Sequence, residues 1–366
     1  MKKTLIALAV LGAAAGVAHA QSNVTIYGIV DTGFVKKTGK DVQMDENVNN
    51  RIGFRGVEDL GGGMKATFEL EERFNLYDGS NNKGKGYTKN DRTFAGLANV
   101  GLKGDSWGSV KLGRVNELTT ETIRAFDPFY QYGVGSMMYG SQRVRGIDNT
   151  IRYDSPSWAG FKLGATYSLG QNTDKDTRDG TTDIIKSKVA GHGADNDGYG
   201  IMLGYDNGPL SLVGNWSRLA DSAKSSVWNL GAAYRFGDAK VELLYQQTID
   251  KGWALGQESN WTKKGAFVGG NDIKEKQWLL GLEWKLGPGR LNASAQWMEV
   301  EANGSAKVSD QDIYKYAIGY TYDLSKRTAI YGVVAYTDYD SKEIAEVYGE
   351  TSDSVTGVQV GITHKF

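Results

Sequence analysis

Residues 228–236 read Trp-Asn-Leu-Gly-Ala-Ala-Tyr-Arg-Phe. The even positions carry Trp228, Leu230, Ala232, Tyr234 and Phe236, and the odd positions carry Asn229, Gly231, Ala233 and Arg235. Residues i and i+2 share one face of a strand, so the segment is apolar on one side and polar or small on the other. Two more stretches repeat the pattern. Trp278, Leu280, Leu282, Trp284 and Leu286 oppose Leu279, Gly281, Glu283 and Lys285. Tyr314, Tyr316, Ile318, Tyr320 and Tyr322 oppose Lys315, Ala317, Gly319 and Thr321. A soluble sandwich would bury such apolar faces against a second sheet. A membrane barrel would turn them to lipid and keep polar groups inside. Trp228 and Phe236 stand at opposite ends of one stripe, the spacing of two aromatic girdles.

Outward from these strands, the connections alternate in length. Seven are short, around Asp59-Leu60-Gly61, Gly104-Asp105, Ser155-Pro156-Ser157, Asn207-Gly208, Gly237-Asp238, Gly287-Pro288-Gly289 and Leu324-Ser325-Lys326. Gly, Pro, Asn, Asp and Ser supply the turn geometry there. Longer polar segments lie between them, among them Asp78–Asn90, Gln171–Asp197 and Asp250–Lys274. Short periplasmic turns and long external loops have this rhythm. Seven turns join fourteen strands, and strands near Val24–Val35 and Val355–Phe366 make sixteen. The expected fold is all-β, a transmembrane antiparallel 16-stranded β-barrel with both termini periplasmic. Sixteen strands leave an aqueous channel, whereas eight are filled by side chains.

Composition agrees. Of 366 residues 49 are Gly, 20 Tyr and 9 Trp, against 4 Pro. A helix bundle is excluded, since Gly costs about 1 kcal/mol at each helix position. Without Cys there is no disulfide or thiolate metal site, and a formal charge of −1 gives no basic footprint for nucleic acid. Lys2 and Lys3, the apolar run Leu5–Val17 and Ala18-His19-Ala20 read as a signal peptide over residues 1–20. The barrel domain then spans residues 21–366, with a formal charge of −3 once the two leader lysines are gone. A large exported chain without Cys suits the periplasm or outer membrane.

One long connection departs from the rest. Glu117–Ile147 holds Phe126, Phe129, Tyr130, Tyr132, Met137, Met138 and Tyr139, too apolar for a solvated loop. The barrel interior is where it can pack.

Several stretches resemble the general diffusion porins, specifically the trimeric sixteen-stranded porins of β-proteobacteria. They are Val24-Thr25-Ile26-Tyr27-Gly28-Ile29-Val30-Asp31, Arg51-Ile52-Gly53-Phe54-Arg55-Gly56-Val57-Glu58-Asp59-Leu60-Gly61-Gly62-Gly63, Val110-Lys111-Leu112-Gly113-Arg114, Asp127-Pro128-Phe129, Asp148-Asn149-Thr150-Ile151-Arg152-Tyr153-Asp154-Ser155-Pro156 and His364-Lys365-Phe366. The resemblance implies a passive porin for ions and small hydrophilic solutes, with no bond made or broken and no cofactor. It implies a homotrimer with one pore per subunit, contact with lipopolysaccharide and outer-membrane lipid, and a terminal Phe366 read by the barrel-assembly machinery. It also implies a third loop, about residues 116–147, folded inward as the constriction loop, whose acidic residues face wall arginines and sort solutes by charge.

Carried onto this chain, Arg51 matches one wall arginine and Arg92 a second. Ile52 and Phe54 are apolar, which independently turns Arg51 inward. Arg145 is the expected third, with Arg143 as its rival. Ile29 stands where enterobacterial relatives carry Lys, so the basic cluster is smaller or is completed elsewhere. Glu117, Glu121 and Asp127 are the acidic loop candidates, with Asp127 also open to a role as cap of a turn inside the loop. Glu69, Glu71, Glu242 and Glu283 face inward on the same parity. Because charges at the narrowest point lie nearest the solute, the expectation is a weak anion preference.

Other chemistry recedes. Gly104-Asp105-Ser106-Trp107-Gly108 fits G-x-S-x-G but joins two strands, and the only histidines beyond the leader are His192 and His364. Asp174, Asp176 and Asp179-Gly180 have the wrong spacing for an EF-hand, and no metal site is expected. The rival readings are an outer-membrane barrel enzyme and an exported soluble carbohydrate-binding β-protein. Need for detergent together with bilayer conductance separates them.

Overall fold

The computed structural model describes residues 23–81, 93–138, 146–169, 197–218, 225–251, 272–302 and 310–366. The leader, Arg92, Arg143, Arg145, His192 and the Asp174–Gly180 segment lie outside the described residues. The strands are β1 (Asn23–Lys37), β2 (Gln43–Asp45), β3 (Arg51–Gly61), β4 (Met64–Arg73), β5 (Ala98–Gly104), β6 (Gly108–Asn116), β7 (Gly146–Asp154), β8 (Phe161–Ser168), β9 (Gly198–Asn207), β10 (Leu210–Arg218), β11 (Ser226–Phe236), β12 (Ala239–Lys251), β13 (Asp272–Leu286), β14 (Gly289–Ala302), β15 (Gln311–Asp323), β16 (Thr328–Tyr339) and β17 (Ser354–Lys365). Two helices, α1 (Leu118–Phe126) and α2 (Lys342–Val347), interrupt the series. β2 is a three-residue strand paired on β1 within the first loop. The other sixteen pair with their neighbours, antiparallel throughout, and β1 pairs with both β3 and β17. The barrel is closed and has no free edge.

The seven short turns fall where the turn residues put them, between β3 and β4, β5 and β6, β7 and β8, β9 and β10, β11 and β12, β13 and β14, and β15 and β16. Closure is completed by the last residue. Phe366 and Gly28 exchange two backbone hydrogen bonds of 3.1 Å. A Cβ on Gly28 would stand 2.2 Å from the Phe366 ring, so only glycine admits the ring there.

The alternating stripes face outward as expected. Trp278, Leu280, Trp284, Tyr316, Ile318 and Phe236 are all exposed. In a soluble protein such a surface would be untenable, and in a bilayer it is the solvated face. The inner face is not uniformly polar. Leu244, Leu279, Met298, Val300 and Ile313 point inward and are almost fully buried. The loop between β6 and β7 covers Leu244 and Leu279, and Met138 of that loop together with Ile344 of α2 covers Met298, Val300 and Ile313.

Candidate pore constriction

A bulge turns the chain inward. The β6–β7 register shifts between Gly113 and Val115, and Gly113 adopts a positive φ of 127° that suits glycine. Glu117 then caps α1, accepting from Thr119 N at 2.7 Å and Thr120 N at 3.1 Å. The Ser217 hydroxyl donates to the same carboxylate at 2.5 Å. α1 lies mainly along β10 and β11, with Thr122 bonded to Asn215, while Leu118 at its start sits over Gly164 of β8 and Gly200 of β9. Ile123, Phe126 and Met137 pack on Ala233, Leu244 and Leu279. Phe129 and Val134 pack on Ala317, Val333 and Ala335, and Met138 packs on Met298, Val300 and Ile313. Each fully buried apolar side chain contributes about 1.5–3 kcal/mol, so the third loop is held inside by a core shared with the wall.

Polar contacts fix its course. Asn292 donates to the Pro128 carbonyl, and the Tyr130 hydroxyl donates to Glu283. Lys315 donates to the Ser136 carbonyl at 2.6 Å, Gln296 accepts from Met138 N at 2.7 Å, and Gln359 accepts from Val134 N at 3.1 Å. The loop therefore runs along the inner wall from β10 to β17. The lumen is left between the exposed face of α1, which carries Glu121 and Arg124, and the opposite wall, β3 to β7.

Asp127 organises the tip. One carboxylate oxygen accepts from Phe129 N at 3.0 Å, and the other from Gln131 N at 2.9 Å and Met137 N at 2.8 Å. Tyr130 and Gln131 both have positive φ, 54° and 64°, a conformation that costs non-glycine residues about 1–3 kcal/mol each. The carboxylate holds that strained pair in place. Burial pushes the Asp127 and Glu117 carboxyls above the usual carboxylate range, while their backbone and hydroxyl donors pull them back part of the way.

The acidic candidates thus divide. Glu117 and Asp127 lie buried on the wall side of the loop and do not face the wall arginines, because backbone N–H groups and Ser217 occupy their oxygens. Glu121 does reach across, 2.7 Å from Arg152. Arg51 faces the lumen from β3, 3.9 Å from Glu71, which also binds Arg73 at 2.6 Å and accepts from the Tyr27 hydroxyl at 3.2 Å. Glu69 pairs with Lys111 at 2.8 Å, and Glu283 and Glu242 meet Lys240 on the far wall.

Four wall cations complete the lane that sequence reading had not assigned. Arg152 binds Glu121 and Asp154, Arg114 binds Asp148 at 2.6 Å, and Arg73 binds Glu71. Arg55 stands 5.2 Å over the Tyr27 ring with no carboxylate partner among the described residues. Alternation could have found Arg152, since Ile151 beside it faces out. The first loop meets the third from the β1 side. Asn47 donates to Asp31 at 2.6 Å, and the Glu46 carboxylate binds the backbone of Asn50 at 3.2 Å. Asn47 also abuts Gly133 of the third loop.

A family model described as Gram-negative porin matches residues 7–342. An outer membrane porin protein of Bordetella pertussis is 33% identical over the full length of both chains. Outer membrane porin protein 32 of Delftia acidovorans is 34% identical, again over the full length of both. Among solved structures, a chain described as an anion-selective porin from Comamonas acidovorans is 28% identical, superposes with a TM-score of 0.71, and covers 94% of this chain and 100% of its own. Matched over most of its length by one family model, and built as a closed sixteen-strand barrel narrowed by its third loop, the chain belongs to the Gram-negative porins, passive diffusion channels of the outer membrane.

Proposed function

We propose that this porin is weakly anion-selective and that the lane between α1 and β3–β7 sets the preference. One observation carries the reading. Of the three third-loop carboxylates, Glu117 and Asp127 are buried, and Glu121 is neutralised by Arg152. Arg51, Arg55, Arg73, Lys111, Arg114, Arg152 and Arg124 then outnumber Glu69, Glu71, Asp148, Asp154 and Glu121. A low-dielectric wall focuses that excess on a passing ion. Arg92, Arg145 and Arg143 are further basic candidates by resemblance. The relative from Comamonas is described as anion-selective, which accords with this arrangement.

The zero-current potential in a salt gradient tests it. Arg51→Gln with Arg92→Gln should move the potential toward cations, and Glu121→Gln should move it toward anions by removing one of the two carboxylates on Arg152. A potential that stays put in both variants removes these residues from the selectivity lane.

The assembly reading is a homotrimer in contact with lipopolysaccharide and outer-membrane lipid, with Phe366 as the signal for the assembly machinery and residues 1–20 as the cleaved leader. Exposed Trp and Tyr on the barrel wall fall on β8 to β16, including Tyr167, Trp216, Trp278, Trp297 and Tyr336. Among the described residues of β1, β3–β7 and β17 the exposed large hydrophobic side chains are aliphatic, Met or Phe, such as Val24, Ile26, Val100, Leu112 and Val360. A wall without interfacial aromatics suits protein contact better than lipid headgroups. Native mass measurement in mild detergent should give three copies, and a monomer would refute the assembly.

A further inference from the structure

Below the third loop, at the end of the barrel that carries the short turns, lies a cavity of about 480 Å³. Arg235, Lys240, Lys285 and Arg290 line it, and Tyr130 and Glu283 reach into it from above. The strand register sets these cations against each other. Arg235 is directly opposite Lys240 across β11–β12, and Lys285 is directly opposite Arg290 across β13–β14. Like charges in that position destabilise an antiparallel pair. Two such pairs adjoin here, because Lys240 sits opposite Glu283, two residues from Lys285.

Resident carboxylates offset only part of this charge. Lys240 is held by Glu242 and, at 3.2 Å, by Glu283. Arg290 keeps its Nε 3.9 Å from Glu283, and its guanidinium lies 5.5 Å from the Tyr130 ring. Its buried Nε has no hydrogen-bond partner among the described residues. Arg235 and Lys285 make no ion pair among the described residues. Asp238 in the β11–β12 turn and Asp323 at the end of β15 stand at the cavity's edge, and among the described residues they pair with neither.

We propose that this cavity binds a dianionic oxyanion, of the phosphate or dicarboxylate class, between Arg235, Lys285 and Arg290. Two charges on the ligand answer the two unpaired cations, and several oxygens can accept from the guanidinium groups at once. The volume lies in the range of small-molecule sites. The site is separate from the selectivity lane, since the third loop lies between them, and it stands whether or not that lane prefers anions.

The test is chloride current through the full barrel in a planar bilayer, with hydrogen phosphate or succinate added to both sides at about pH 8, where phosphate is doubly charged. Either dianion should reduce the current saturably. Block by both assigns the site to charge, and block by phosphate alone assigns it to the tetrahedral group. R235Q with K285Q should raise the half-blocking concentration about tenfold or more, the loss of one or two charge-assisted hydrogen bonds. R235K with K285R should restore the block. Both residues are exposed and unpaired, so neither change threatens folding. No block by either dianion overturns the proposal while leaving the channel itself intact. So does a block that survives the double variant but vanishes in R51Q, which would place the anion in the lane above.

Discussion

Removing the Asp127 carboxylate should loosen the tip of the third loop without unseating its helix. The side chain is fully buried and accepts three backbone N–H groups, from Phe129, Gln131 and Met137. Asp127→Ala leaves all three donors unsatisfied, at about 1–3 kcal/mol each. The carboxylate's own desolvation cost disappears with it, so the net loss should be on the order of 3–6 kcal/mol for the segment 127–137. The positive φ at Tyr130 and Gln131 then has nothing to enforce it. α1 keeps its separate cap at Glu117 and its packing on Ala233, Leu244 and Leu279. Asp127→Asn should fall between the two. Its carbonyl can serve Gln131 and Met137, but its NH2 faces the Phe129 N–H. Single-channel recording should show added open-channel noise in the Ala variant and less in the Asn variant. Protease supplied to intact cells or liposomes should cut within 127–137 in the Ala variant alone. Wild-type noise and protease resistance in Asp127→Ala would refute the claim that this carboxylate organises the loop.

Deleting the tip over residues 127–133 should raise single-channel conductance, since that segment lies within the lumen against β13–β16; unchanged conductance would place it elsewhere. Gly28→Val puts side-chain atoms into the Phe366 ring and the Arg51 carbonyl, 2.6 Å from a Cβ. It should destabilise closure by about 1–3 kcal/mol, read as a lower denaturation midpoint of the folded barrel on semi-native gels, and an unshifted midpoint would contradict the close fit. Glu350 accepts Lys37 at 2.7 Å and Lys40 at 2.6 Å, joining the last loop to the end of β1. Burial pushes its carboxyl up, but the two lysines outweigh burial and hold it below the usual range. A depressed folded value means this clamp is present above the ordinary carboxylate range and is lost as pH falls through the lowered one. Protection of the Gly349 and Glu350 amides, taken relative to the intrinsic exchange rate at each pH, should therefore fall in acid, and E350Q should be poorly protected at neutral pH; equal protection in both proteins would remove the clamp.

The outward half of this barrel was written in the chain and the inward half only in part. Trp278, Leu280, Trp284 and Tyr316 had to face one way because lipid tolerates no polar stripe, and the seven turns follow from residues with no alternative use. The aromatic content of 117–147 required an apolar partner, and the partner was also visible, as breaks in the polar parity at Leu244, Leu279, Met298 and Ile313. Read together, those two anomalies are one feature, a loop and its seat, and they predict which side of the lumen stays open. The charges were harder for a physical reason. Arg114 falls on the lipid parity of β6, yet the bulge at Gly113 shifts the register and brings it to Asp148. Asp127 looks like a pore acid until Met137, ten residues later, curls back to donate to it. A carboxylate's role here depends on whether backbone donors reach it before water does, and that is settled by the loop's path, not by its spacing from an arginine. Folding the loop against an apolar wall takes two of its three acids out of the water, so that of the loop's own carboxylates Glu121 alone meets the wall cations, which is what the proposed anion preference rests on.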